Sequence, residues 1–176
     1  TYTDEYDGNP HPVISIEEST IPPNSIIEYS VDNGQTWYIL NSNDNIPTVS
    51  TVKKAENTKI CIRISNSNYT TWTSQEYQAI IKRATSTPNF PSIDTISVPW
   101  SCKKVKDIDP NSLPQNWNWQ ANGANNDLQV GNNSATAIYN GSDKGNYEKE
   151  TFTYTIIRKE CEHKNTVGCY YSSPSC

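Results

Sequence analysis

The residues best equipped for chemistry lie at the end of the chain. Cys161, His163, Cys169 and Cys176 fall within the last 16 residues. Three thiols and one imidazole are a donor set that tetrahedral zinc accepts. No Cys-x-x-Cys knuckle supports that reading, however. Outside a cell, thiols so placed are expected to form a disulfide, either within the tail or from the tail to Cys102. Free thiols are the remaining alternative. Aromatic side chains are a second resource: Trp72, Trp117 and Trp119 are candidate platforms for a sugar, whose C–H faces stack on flat rings. Trp117 and Trp119 alternate along one strand and share a face, so both point inward or both point outward. In a chain with 3 Leu and 2 Phe, Trp is also the natural core filler, and Trp37 is expected to be core.

Other chemistry finds less support. Asp107, Asp109, Asp127 and Asp143 are candidate calcium ligands, but their spacing matches no EF-hand, and turn formation accounts for them as well. The histidines are His11 and His163, both near predicted termini. Neither G-x-S-x-G nor H-E-x-x-H occurs. Glu17 and Glu18, as neighbours on a strand, would point to opposite faces. Asn68, Asn132 and Asn140 head glycosylation sequons, which matter only in a eukaryotic secretory host. Lys59 near Asn-rich turns has part of what a Lys–Asn isopeptide cross-link needs. The chain reads as non-catalytic, with no cofactor.

The elements that must position these groups are strands. Ile outnumbers Leu 18 to 3, and there are 11 Pro, 11 Tyr and 5 Trp, a composition that disfavours long helices. Mean hydropathy is -0.76 and net charge -5, too little charge for the disordered class. No Lys/Arg stripe is present to neutralise phosphates, so nucleic acid is not an expected partner. No apolar run reaches membrane-spanning length, so no insertion is expected. With no Met, the chain reads as an excised or processed piece of something longer.

Asp32-Asn33-Gly34, between alternating segments at residues 25–40, predicts a hairpin. Strands are predicted at residues 12–16, 48–52, 59–65 and 76–82, then at 116–120, 134–139 and 151–158. Residues 84–89, small, polar and Pro-containing, read as the linker between two domains. An internal correspondence supports two units. Asn68-Tyr69 matches Asn146-Tyr147, and Ile80-Ile81-Lys82-Arg83 matches Ile156-Ile157-Arg158-Lys159.

The first half resembles a bacterial immunoglobulin-like repeat, found in tandem in large surface and secreted proteins. Tyr6-Asp7-Gly8-Asn9-Pro10-His11, Glu28-Tyr29-Ser30-Val31-Asp32-Asn33-Gly34-Gln35-Thr36-Trp37 and Ile64-Ser65-Asn66-Ser67-Asn68-Tyr69 carry the resemblance. The second half is similar to a companion repeat, through Leu113-Pro114-Gln115-Asn116-Trp117-Asn118-Trp119, Leu128-Gln129-Val130-Gly131, Ala137-Ile138-Tyr139 and Asn146-Tyr147. The stretch from Leu40 to Thr58 departs from the pattern, lacking its usual Gly-Thr-Tyr type of strand entry. The expectation is an all-β chain of two tandem immunoglobulin-like β-sandwich domains, residues 1–84 and 85–159, with a Cys-rich tail at 160–176. The resemblance implies an extracellular, cell-surface spacer or adhesive module without catalytic residues. Its partners would be flanking domains of the same polypeptide, and surface glycans or host proteins. The rival readings are a carbohydrate- or host-ligand-binding module and an accessory region of a larger secreted enzyme.

Overall fold

A computed structural model describes residues 1–41 and 45–161. Among these residues strands dominate, as expected of an all-β chain, with one short α-helix and a few 3-10 turns. Two compact units form: Thr1–Thr85 together with Gly145–Glu148, and Ser86–Lys144 together with the chain from Lys149 onward.

In the first unit, strands β1 (Thr3–Glu5), β2 (His11–Pro12), β3 (Ile26–Ser30), β4 (Tyr38–Ile39) and β5 (Thr48–Val49) precede helix α1 (Val52–Asn57). Strands β6 (Lys59–Asn66), β7 (Tyr69–Thr73), β8 (Tyr77–Gln78), β9 (Ile80–Lys82) and β10 (Ala84–Ser86) follow. The main sheet runs β4-β3-β6-β7, with β8 also on β6. Strand β1 pairs in parallel with β9, and β2 pairs antiparallel with β5. The alternation in β6 decides its faces: Ile60 and Ile62 are buried in a core with Val13, Val49, Val52, Ala55 and Ile81. Two sequence expectations differ here. The strand predicted for residues 12–16 stops at Pro12, because Val13 spends its N–H on Pro47 O and its carbonyl on Tyr2 N–H instead of a ladder. Helix α1 was not foreseen. It forms because Thr51 caps it, its side chain accepting from Lys54 N at 3.1 Å, and because Val52 and Ala55 share its inward face.

The hairpin at Asp32-Asn33-Gly34 is present with a longer connection than a two-residue turn. Tyr29 pairs with Tyr38 and Glu28 with Ile39. Asn33 and Gly34 adopt φ of 58° and 83°, the left-handed region in which Gly and Asn are least strained. Asp32 Oδ1 accepts from Ser30 Oγ, Gln35 N and Thr36 N, while Ser30 Oγ accepts from Gly34 N. These bonds, led by that from Thr36 N, hold the Asp32 carboxyl well below its ordinary value, to about 2. Trp37 is half-buried under the Arg63 guanidinium, 4.3 Å from its ring centroid, and is not a core side chain as expected.

In the second unit, β11 (Thr95–Val98), β12 (Trp117–Trp119), β13 (Gly131–Tyr139) and β15 (Thr151–Arg158) follow in order, while β14 (Tyr147–Lys149), between β13 and β15 in sequence, has its first two residues in the first unit. The sheet order is β11-β15-β13-β12, with β11 parallel to β15 and the other pairs antiparallel. Its inward face is a chain of rings: Trp119 on Tyr154, Tyr154 on Phe152, Phe152 on Phe90, Phe90 on Trp117, Trp117 on Tyr139. Small neighbours make room for them. Ala137 stands opposite both Phe152 and Trp119, and Ala135 opposite Tyr154. Arg158 closes the end of the sheet, donating twice to Trp100 O and once to Leu128 O.

The segment Gly145–Glu148 belongs to the first unit. Asn146 Oδ1 accepts from Val52 N at 2.9 Å, and its carbonyl accepts from Ala84 N at 2.9 Å. Tyr147 is buried with its ring edge-on to Tyr6. Asn68-Tyr69, its counterpart in sequence, instead lies exposed at the β6–β7 turn.

Candidate functional site

Strand β7 is an edge of the first unit's main sheet, and every residue in it is exposed. Its pairing with β6 contains a bulge. Ile64 pairs with Trp72 and Asn66 with Tyr69, so Thr70 and Thr71 together oppose Ser65. In a regular strand, residues three apart point to opposite faces. The extra residue cancels that rule and brings Tyr69 and Trp72 to the same face as Ile64, which is how a bulge re-aims a side chain. The two rings remain 65% and 50% exposed.

Tyr69 and Trp72 form one wall of a groove of about 340 Å³, within the range of small-ligand sites. Ile64 is its floor, continuing the line of Ile60 and Ile62 beyond the covered core. The facing wall is the loop that carries Thr20, Ile21, Pro22 and Ser25. Asn66 fastens that loop to β6: its Nδ2 donates to Pro23 O at 3.0 Å and to Ser25 Oγ at 3.1 Å, while its Oδ1 accepts from Asn68 N. A left-handed residue, Asn24 at φ 62°, turns the loop back toward β3. The wall's hydroxyls have spent their protons: Thr20 Oγ1 donates to Glu17 O and Ser25 Oγ to Pro22 O. No charged side chain lines the groove. The charged pair of this sheet, Arg63 and Glu28 at 2.7 Å, sits on the opposite face by alternation. The arrangement offers flat apolar surface, aliphatic contact, hydrogen-bond acceptors on the loop and the hydroxyls of Tyr69 and Thr70. It can hold an uncharged amphipathic ligand and has no group for bond-making chemistry.

Of the three Trp candidates, Trp72 alone is an exposed platform. Trp117 is 4% exposed, and Trp119 is half-buried against Tyr154. They share a face as expected, and that face is the core of the second unit. Tyr69 was missed because no local signal announces the bulge. The nearest hint is the run of three β-formers, Thr70-Thr71-Trp72, directly after the Asn68-Tyr69 turn.

The cysteines separate. Cys102 is a free, buried thiol, and so is Cys61; burial pushes both thiols up from their ordinary value. Cys102 is therefore not a disulfide partner: it is enclosed early in the second unit, its Sγ against Lys104 O. Cys161 is disulfide-bonded. Cys169, Cys176 and His163 lie outside the described residues. The aspartates considered for calcium have protein partners. Asp127 pairs with Lys104, Asp107 accepts from Lys104 N, Asp109 from Asn111 and Asp143 from Tyr139. Among the described residues, no group of three metal-binding side chains converges. His11 stacks on Tyr2 and contacts Asp7 at 2.9 Å, a contact that with Asn9 lowers the Asp7 carboxyl. Lys59 pairs with Glu76. No helix among the described residues is long and apolar enough to cross a membrane.

No family model matches the chain, and neither do any curated protein or solved structure.

Proposed function

We propose that this chain is a non-catalytic, adhesive module of a bacterial cell-surface or secreted protein, and that its first unit binds glycan in the groove at Trp72. One observation carries the binding reading: a bulge in an edge strand sets two exposed aromatic residues on one face, both lining an uncharged groove. Sugar rings stack on such surfaces because their C–H faces are apolar while their edges stay hydrated. The immunoglobulin-like reading of both units draws support from a shared feature. In each, the opening strand runs parallel to the closing one, β1 with β9 and β11 with β15, and each closing strand carries Ile-Ile before a basic residue. The disulfide at Cys161 supports an extracellular setting. Flanking domains of the same polypeptide and host-surface glycans are the partners of this reading. A bare spacer would need the same two units but no such groove.

The test is a glycan array probed with the whole chain and with Trp72→Ala, beside melting curves of both. The expected result is glycan binding weakened about tenfold or more by the substitution, with the melting temperature unchanged, as for other exposed side chains. Absence of glycan binding by the unaltered chain would leave the spacer reading in its place.

A further inference from the structure

We infer that the ligand of the Trp72 groove is an N-acetylated, uncharged hexosamine unit, an inference that rests on the glycan-binding reading above. The groove is not aromatic throughout. Beyond Tyr69 and Trp72, its apolar lining is aliphatic, formed by Ile21, Pro22 and Ile64, with Thr20, Ser25, Asn66 and Thr70 as its polar members. A pyranose ring stacked on the aromatics would present its ring substituents to that aliphatic surface. A hydroxyl set against Ile21, Pro22 or Ile64 loses water and finds no hydrogen-bond partner in those three side chains, which is costly. The methyl of an acetamido group gains contact at the same place.

The polar atoms agree. Thr20 Oγ1 and Ser25 Oγ already donate to backbone carbonyls, and Asn66 Nδ2 is committed to Pro23 O and Ser25 Oγ. What the loop wall has left to offer is lone pairs. An amide N–H can donate to them, as a sugar hydroxyl also can, so these atoms accept an acetamido group and the aliphatic wall makes the distinction. Charge excludes acidic sugars. No cation lines the groove to pair with a carboxylate, and Glu17 and Glu18 precede Ser19-Thr20 in the sequence that leads into the loop wall. The loop is tethered to the sheet by Asn66, so the aliphatic and aromatic walls keep their spacing without a ligand.

The experiment measures binding to the whole chain by Trp fluorescence and by calorimetry, with three probes: the trimer of β-1,4-linked N-acetylglucosamine, the matching glucose trimer and a sialylated trisaccharide. Ile21→Ser and Trp72→Ala are tested beside the unaltered chain, with melting curves for each. The expected result is a preference of about tenfold or more for the N-acetylated trimer over the glucose trimer, the scale of one well-placed methyl. Ile21→Ser should erase that preference while retaining glucose-trimer binding, and Trp72→Ala should weaken both. Equal or tighter Trp72-dependent binding of the glucose or sialylated probe overturns the N-acetyl assignment and leaves glycan binding standing. Binding of no probe, or binding indifferent to Trp72→Ala, overturns the assignment and the site together.

Discussion

Asp32 shows how one side chain organises a loop. Its carboxylate collects two backbone N–H groups and the Ser30 hydroxyl, and Ser30 in turn holds Gly34 N. Hydrogen bonding to the charged form lowers its folded pKa to about 2 from 3.8. A depressed folded value stabilises the protein above the ordinary one, and that contribution is lost as pH falls through the folded value. Asp32→Asn should therefore lower the melting temperature at neutral pH. The gap between it and the unaltered chain should close as pH falls from about 4 toward 2. A gap that stays constant over that range would assign the loss to shape instead of charge. This loop is also the part most legible from sequence. Asp, Asn and Gly announce left-handed backbone by their own chemistry, and two of the three predicted positions, Asn33 and Gly34, have it.

At the scale of elements, aromatic side chains of the same type do opposite work. Trp117 stands on an edge strand, β12, but it is buried there between Phe90 and its cross-strand partner Tyr139. Trp72 also stands on an edge strand, over an open groove. Trp117→Ala should cost about 3–5 kcal/mol of stability, as expected for a buried aromatic cut to a methyl, with no effect on glycan binding beyond what unfolding removes. Chemical denaturation of this variant beside Trp72→Ala checks the division. The two outcomes should be inverse, stability lost in one and binding in the other. Strands β6, β13 and β15 were readable because their alternation is strict. β7 was not, because its bulge breaks the period on which such reading depends. α1 escaped for a related reason: six residues are too few for a helical period to emerge, and its cap and its two inward residues settle it only once β5 and β6 flank it.

At the scale of the whole molecule, the first unit is discontinuous in sequence. Residues far down the chain complete it: Asn146 accepts the N–H at the start of α1 and receives Ala84 N on its carbonyl. Asn146→Ala should leave the Val52 N–H buried without its acceptor and destabilise the first unit by about 1–3 kcal/mol. Amide exchange resolves this residue by residue, and protection should fall across α1 and β9, which pack together, before it falls in β13 and β15.

The alternation of β-branched residues, the Asp-Asn-Gly turn and the Ile-Ile endings were written in the sequence, because each acts through neighbours a few residues away. They sufficed for an all-β chain and for the strands that carry it. What the sequence left open was settled by contacts between distant residues. Which Trp faces solvent depends on which sheet covers it. Tyr69 joins Trp72 only through the pairing register of β7 on β6. Cys102 stays a free thiol because folding encloses it early in the second unit. And Asn146-Tyr147, alike in sequence to Asn68-Tyr69, completes a core instead of edging a groove, since burial is a property of the surroundings and not of the dipeptide.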